Sequence, residues 1–307
     1  MGIVVLGAVF IDIKGRATGG YIPAGRNVGT VEEVHGGVSR NVVEDIANVE
    51  LRPTFVGLVD DSGIGTGVLE KLQNHKVETK YVRRTPDGMG KWLAVFDSSG
   101  DVVASISKRP DLSEINNILD EQGDEIFKDA DSIALEIDME KDTIKRVFKY
   151  AEKYNLKVFA AVSNMSIAVE RRDFLKSVEC FVCNQQEAGI LFMDDYSDKT
   201  PEEMEEILLK KVQAAQIKKM IVTMGGSGAV YADLEGHSGF APARKVDVKD
   251  TTGAGDSFFA GVTIGLTYGK SMEEACEIGS TLAASVIVTS DNVCPRFLPS
   301  EFGIECK

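Results

Sequence analysis

Asp250-Thr251-Thr252-Gly253-Ala254-Gly255-Asp256-Ser257-Phe258-Phe259-Ala260-Gly261 brings together a turn of small residues, a helix start and a carboxylate inside the first turn. Gly253, Ala254 and Gly255 carry little or no side chain, so their N–H groups can face an anion closely. The apolar positions that follow, Phe258, Phe259, Val262, Ile264 and Leu266, predict the helix that this turn opens. The helix dipole favours an ionised carboxylate at Asp256, which can then accept a proton from a substrate hydroxyl. Backbone donors beside such a carboxylate suit phosphoryl transfer to an alcohol: the donors stabilise the moving group and the carboxylate orients the nucleophile. A bare G-x-G-D would more often be a plain turn with an ordinary acid. The whole stretch is far more specific.

A chain of 307 residues can bury a large core, as one sizeable α/β domain with an appendage. Hydrophobic content of 43% and charged content of 27% are those of a globular protein. A net charge of −14 argues against nucleic acid or an anionic membrane as a partner, and an anionic substrate would need a local exception. The five cysteines are odd in number and scattered, which does not suggest a disulfide framework. Cys180-x-x-Cys183 sits in an apolar run without a second ligand pair, so it reads as buried strand. The N-terminus enters an apolar strand with no basic leader, and no span approaches the ~20 apolar residues of a membrane helix. A cytoplasmic location is expected.

Ile3 to Asp12 reads as one doubly covered parallel strand ending in a carboxylate. Ligands collect at the carboxyl edge of open α/β sheets, so Asp12 is either a binder of substrate hydroxyls or a turn residue capping the strand. Residues 14–35 lack a helical period and predict short strands and turns outside the main sheet. Gly36 and Gly37 precede a helix whose apolar positions Val42, Val43, Ile46, Ala47 and Val49 fit a 3.6-residue period. Asn41, in its first turns, can donate to and accept from a sugar hydroxyl, or simply face solvent. Arg40 beside it is either part of the same motif or simply the partner of a nearby acid.

Thr54 to Val59 and the helix after it begin a βαβ rhythm that predicts a parallel sheet. Residues 91–96 and 102–107, joined by 97–101, read instead as a hairpin, which calls for a separate small sheet. With residues 14–35 it would form a lid, leaving 1–13, 36–87 and 109–307 as the main body. Further alternation predicts strands over 133–137 and 157–162 and helices over 140–154 and 167–176. Asn184-Gln-Gln-Glu187 follows the next strand into a helix. Glu187 is there either for the dipole or as an outer ligand of Mg²⁺, a cation that keeps several waters and prefers oxygen. Thr223, Gly225 and Gly228 break and resume another strand, where a ligand could approach the backbone. It is neither a Walker loop nor a G-x-G-x-x-G turn opening a helix. The small residues of 271–288 predict a tightly packed helix, with core packing favoured over an adenine slot.

D-T-T-G-A-G-D-S-F-x-A-G resembles the C-terminal signature of the ribokinase-like (PfkB) sugar and nucleoside kinases. G-G-x-x-x-N, N-x-x-E and T-x-G-x-x-G occur in that family's order, so the resemblance covers essentially the full length. It implies a three-layer α/β/α fold with a mainly parallel sheet and a small β lid, and transfer of a phosphoryl group from ATP to a hydroxymethyl group of a sugar or nucleoside. Asp256 would be the base and Gly253, Ala254 and Gly255 the anion hole. Asp12, Gly36, Gly37 and Asn41 would hold the acceptor; Asn184, Thr223, Gly225 and Gly228 the nucleotide. Glu187 would serve Mg²⁺ through water. By analogy with K⁺-activated members, Asp250 and Thr252 would supply a monovalent-cation site. The version G-G-V-S-R-N, with the N-terminal V-x-G-A-x-x-I-D-I-K-G, is most similar to pseudouridine kinases, with ribokinase- or fructokinase-type enzymes following. A sensing protein without turnover on the same fold is the alternative of another class. The lid strands could also pair two copies into a homodimer.

Overall fold

The computed structural model describes residues 2–98 and 102–305. The tip of the predicted hairpin at residues 99–101, and Cys306, lie outside the described residues. Among the described residues thirteen strands form two sheets. Nine build the main one: β1 (Ile3–Leu6), β4 (Thr54–Val59), β5 (Val82–Arg84), β8 (Ser132–Glu136), β9 (Lys157–Ala161), β10 (Cys180–Asn184), β11 (Lys219–Thr223), β12 (Gly228–Asp233) and β13 (Ser238–Pro242). The other four, β2 (Val9–Ala17), β3 (Gly29–Gly36), β6 (Met89–Phe96) and β7 (Val102–Lys108), form the small sheet in the order β3-β2-β6-β7.

The large sheet runs β13-β12-β11-β10-β9-β8-β1-β4-β5 and is parallel except where β12 and β13 turn back. Its strands are apolar on both faces because helices cover both. Val4 and Leu6 pack with α3 (Glu114–Phe127), α4 (Lys141–Tyr154), α5 (Met165–Ala168), α6 (Gln185–Phe192) and α7 (Pro201–Ala215). Ile3 and Val5, pointing the other way, pack with α1 (Val38–Asn48), α2 (Gly63–Asn74), α8 (Ala254–Thr267) and α9 (Met272–Ile287). This is the three-layer α/β/α arrangement with a smaller sheet beside it. The helix expected over 167–176 is a short α-helix followed by a 3₁₀ segment, Val169–Lys176.

The strand expected from Ile3 to Asp12 is two strands in two sheets. The chain leaves the large sheet at Gly7-Ala8, and β2 then pairs with β3 and β6. Residues 9–13 and Gly36 therefore hydrogen-bond in the small sheet rather than in the main body. Continuous hydrophobicity across the break hid it, since Val9 and Ile11 are as buried as Val4 and Val5. The break is held by Glu136, at the end of β8, whose Oε1 accepts from Ala8 N (3.1 Å) and Ser39 N (3.2 Å). A backbone donor that loses its sheet partner is thus satisfied by a side chain. A Cβ at Gly7 would stand 2.1 Å from Ser39 Oγ, so only glycine fits.

Cys180, Cys183, Cys276 and Cys294 are buried and free, and burial pushes all four thiols upward, as inert core residues require. Among the described residues, no helix is long and apolar enough to cross a membrane, and no group of three or more His, Cys, Asp or Glu is placed to hold a metal.

Candidate active site

The turn that opens α8 has the conformation its composition predicts. Gly253 is left-handed, with φ 83°, and a Cβ there would stand 2.1 Å from the carbonyl oxygen of Asn292. Ala254 and Gly255 begin the helix, the Ala254 N–H donating to the Thr251 carbonyl at 3.3 Å, and Asp256 lies in its first turn. A Cβ on Gly255 would meet nothing within 4 Å, so this part of the turn is open to a ligand.

Asp256 is half-buried and enclosed by polar groups. Its Oδ2 accepts from Asn41 Nδ2 at 2.6 Å. Burial pushes its pKa up to about 6, the Asn41 hydrogen bond and Arg40 pull it back, and Asp12 adds to the rise. It is therefore a carboxylate poised near neutrality, with Oδ2 rather than Oδ1 engaged by Asn41.

Asn41 is held in turn by Arg40, which is fully buried in α1. The guanidinium donates to Asn41 Oδ1 and to the His35 carbonyl, approaches Asn292 Oδ1 at 3.3 Å, and pairs with Glu44 Oε2 at 2.5 Å. Glu44 also meets Lys71 at 2.8 Å, and although burial opposes it, Arg40 and Lys71 hold its carboxyl below the usual range. A second polar connection lies alongside: Asp45 accepts from Ser257 Oγ (2.7 Å) and from Cys294 N (2.6 Å). Burial pushes Asp45 up to about 7. Sequence reasoning anticipated Arg40 pairing with an acid but found neither its hold on Asn41 nor the Asp45–Ser257 bond. Polar residues at 40, 44 and 45 on an otherwise apolar helix were the available signal.

Asp12 stands on β2 with its carboxylate against Gly36, whose Cβ would be 2.5 Å from Asp12 Oδ2. Burial raises its pKa, while Lys14 and Arg40 moderate the rise. Gly37, with φ 98°, caps α1. Asp12, Gly36, Gly37 and Asn41 are thus grouped, and the electrostatic influence of Asp12 reaches Asp256. Trp92 is paired in register with Asp12 and lies on the same face of the small sheet. The face continues with Phe10, and with Phe96, which packs edge-on to Trp92 at 6.4 Å and carries Arg16 over its ring at 4.4 Å. The sequence reading took residues 91–96 only as lid strand and missed this aromatic strip.

On the other side of the turn lies a cleft of about 570 Å³. Asn184, Thr223, Gly225, Gly228, Ala254 and Gly255 line it, so the residues expected from sequence to hold nucleotide meet the turn that opens α8 in one cavity. Ser280, Ala283, Ala284 and Ile287 of α9 form part of its wall, so the small residues expected chiefly to pack the core also shape this cleft. Val246 and Val248 add apolar surface that the sequence reading did not single out.

Glu187 makes a capping box: Asn184 Oδ1 accepts from Glu187 N (2.8 Å) and Glu187 Oε2 accepts from Asn184 N (2.8 Å). Asn184 is therefore a helix cap as well as a cleft residue. Burial raises the Glu187 pKa, the Asn184 N–H lowers it, and Asp138 and Asp256 raise it again. Excess negative charge around an oxygen-only donor fits a hydrated divalent cation. Asp250 and Thr252 are brought together, with Asp250 Oδ1 accepting from Thr252 N at 2.9 Å, but cationic side chains already engage both.

The pfkB family carbohydrate kinase model matches residues 2–296. The chain belongs to the pfkB family of carbohydrate kinases. Within that family it is 35% identical to the guanosine-inosine kinase of Exiguobacterium acetylicum over 292 residues, covering 94% of this chain and 95% of that protein. It is 24% identical to the pseudouridine kinase of Escherichia coli K12 over 264 residues, covering 85% and 82%. Arabidopsis thaliana ribokinase, solved with ribose and ATP, superposes with a TM-score of 0.80 at 22% identity and 96% coverage of each chain. This pfkB protein is thus an ATP-dependent sugar or nucleoside kinase with the ribokinase-like fold.

Proposed function

We propose that this kinase phosphorylates the hydroxymethyl group of a nucleoside, with a purine nucleoside such as guanosine or inosine as its acceptor. The observation that carries this reading is the placing of Trp92 beside Asp12 on the sheet face that looks onto Asp256. A carboxylate suits ribose hydroxyls, and an aromatic strip next to it suits a flat base, which a free sugar lacks. The guanosine-inosine kinase similarity over nearly the whole chain supports the same choice. Pseudouridine is the second reading, favoured by the Gly36-Gly-Val-Ser-Arg-Asn41 motif.

In this reading Asp256 Oδ1 accepts the proton of the acceptor hydroxyl while Asn41 holds Oδ2. The N–H groups of Gly253, Ala254 and Gly255 face the transferring phosphoryl group from the side opposite Asp12. ATP lies in the cleft between Thr223–Gly228 and α9, its phosphates toward the turn. Mg²⁺, held through water by Glu187, would neutralise phosphate charge. A homodimer through the outer face of the small sheet, where Val31, Leu93 and Ile106 are exposed, belongs to the proposal, and sedimentation checks it.

The test is ADP release with ATP and Mg²⁺ against guanosine, inosine, pseudouridine, uridine, ribose and fructose. Preference for guanosine or inosine is expected. Preference for pseudouridine would select the second reading, and preference for ribose or fructose would remove the base-binding role of the lid. Silence across the panel would leave a sensing protein.

A further inference from the structure

Asp250 and Thr252, the pair expected to hold a monovalent cation, are engaged by a side chain from the lid. Lys14 Nζ lies 3.3 Å from Thr252 Oγ1 and 3.9 Å from Asp250 Oδ2. Its side chain is only 7% exposed, and the Arg16 guanidinium lies 3.9 Å from the same Asp250 oxygen. These donors do not fit an added K⁺ ion, because a further positive charge would be repelled by two that are already fixed there. An ammonium group carries the charge of K⁺ and, like it, binds oxygens.

We propose that the Lys14 ammonium takes the place of an activating monovalent cation beside the anion-hole turn, so that the kinase works without K⁺. Lys14 is a positioning residue: it touches Thr252 and Asp250, and these lead directly into Gly253. Unlike an ion it cannot dissociate from the protein. It also lies two residues from Asp12 on the same strand, so the residue that meets the acceptor and the charge that braces the turn arrive together. In a chain of net charge −14, Lys14, Arg16 and Arg40 supply the local positive field that a transferring phosphoryl group needs.

The inference rests on the kinase reading, and the experiment separates the two. Turnover with ATP, Mg²⁺ and the best acceptor of the panel is measured in choline chloride, NaCl and KCl at equal ionic strength, with thermal melts of the same protein in each salt. Wild-type turnover should agree across the salts within about twofold, since only screening is shared. Lys14→Met in choline chloride should lose about tenfold or more, as when a group that shapes an anion hole is removed. KCl or NH₄Cl should restore much of that loss and raise the melting temperature of Lys14→Met but not of the wild type. Activation of the wild type by KCl beyond about fivefold, the lower end of usual coupling between sites, would overturn the proposal. So would a Lys14→Met loss that is the same in every salt. Absence of turnover in all salts would defeat the kinase reading alone. The wild-type melts then decide, and also decide if Lys14→Met does not fold: K⁺-specific stabilisation overturns the inference, and equal melting in all three salts supports it.

Discussion

Asn41 Nδ2 donates to Asp256 Oδ2 across 2.6 Å, and the direction of that bond is set one residue earlier in the chain. Arg40 can only donate, so the oxygen of the Asn41 amide must face it and the nitrogen must face Asp256. A buried guanidinium thus orients the Asp256 carboxylate through one amide, which engages Oδ2 and leaves Oδ1 outside that bond.

Asp256 has a pKa of about 6, and a base works in its ionised form, so kcat/KM should fall as pH drops below about 6. Asn41→Ala removes a bond to the ionised carboxylate and should move that limb to higher pH. Asp256→Asn should lower kcat by roughly 10²- to 10⁴-fold with little change in ATP affinity. The same shift has a stability consequence. A carboxyl whose folded pKa is raised contributes stability that is fully present below its unfolded value of 3.8 and is lost as pH rises through about 6. Asp256→Asn should therefore gain in melting temperature relative to wild type between pH 4 and pH 6. A pH-rate profile and a pH series of melts check both.

Arg40→Met should destabilise the fold by about 3–5 kcal/mol, because it leaves Glu44 buried with only Lys71 as a cationic partner. Arg40→Met,Glu44→Leu should recover part of that loss while leaving Asn41 unanchored. Denaturant titrations of the two variants measure the first effect, and turnover of the double variant measures the second.

Gly253→Ala and Gly255→Ala should fail for different reasons. At Gly253 both φ 83° and the Asn292 carbonyl forbid a methyl group, so the melting temperature and turnover should fall together. At Gly255 the methyl meets no protein atom within 4 Å, so folding should be unchanged while turnover drops, because the proposed mechanism sends the phosphoryl group through that open space. Melts beside ADP-release rates distinguish the two.

Trp92→Ala should raise KM for a nucleoside by about tenfold or more, the worth of one aromatic stacking contact, and leave any activity on ribose unchanged. Steady-state kinetics with guanosine and ribose check this. An equal effect on both acceptors would place Trp92 in lid folding rather than base recognition.

Much of this candidate site was legible because the chemistry proposed for it depends on backbone. A turn of Gly253, Ala254 and Gly255 before an apolar run can be read from residue size alone, and so can the glycine-interrupted strand around Thr223 and Gly228. Contacts that join distant segments were not legible. Lys14 meets Thr252 across 238 positions and Asn41 meets Asp256 across 215, and no local pattern records either. The division of Ile3–Asp12 between two sheets was hidden for another reason. Burial on both sides of Gly7-Ala8 comes from different partners but leaves the same apolar signature, and the group that ends the first strand, Glu136, lies far along the chain.

The short passage through Gly7-Ala8 limits how such a kinase can be re-engineered. Because β2 follows β1 after only these two residues, the small sheet is no detachable cassette. A chimera that imported a relative's lid would have to be spliced beside the central strand and keep Gly7, Ser39 and Glu136 as a matched set. Grafts confined to β6 and β7 avoid that junction, which makes those strands the tractable place to retarget the enzyme.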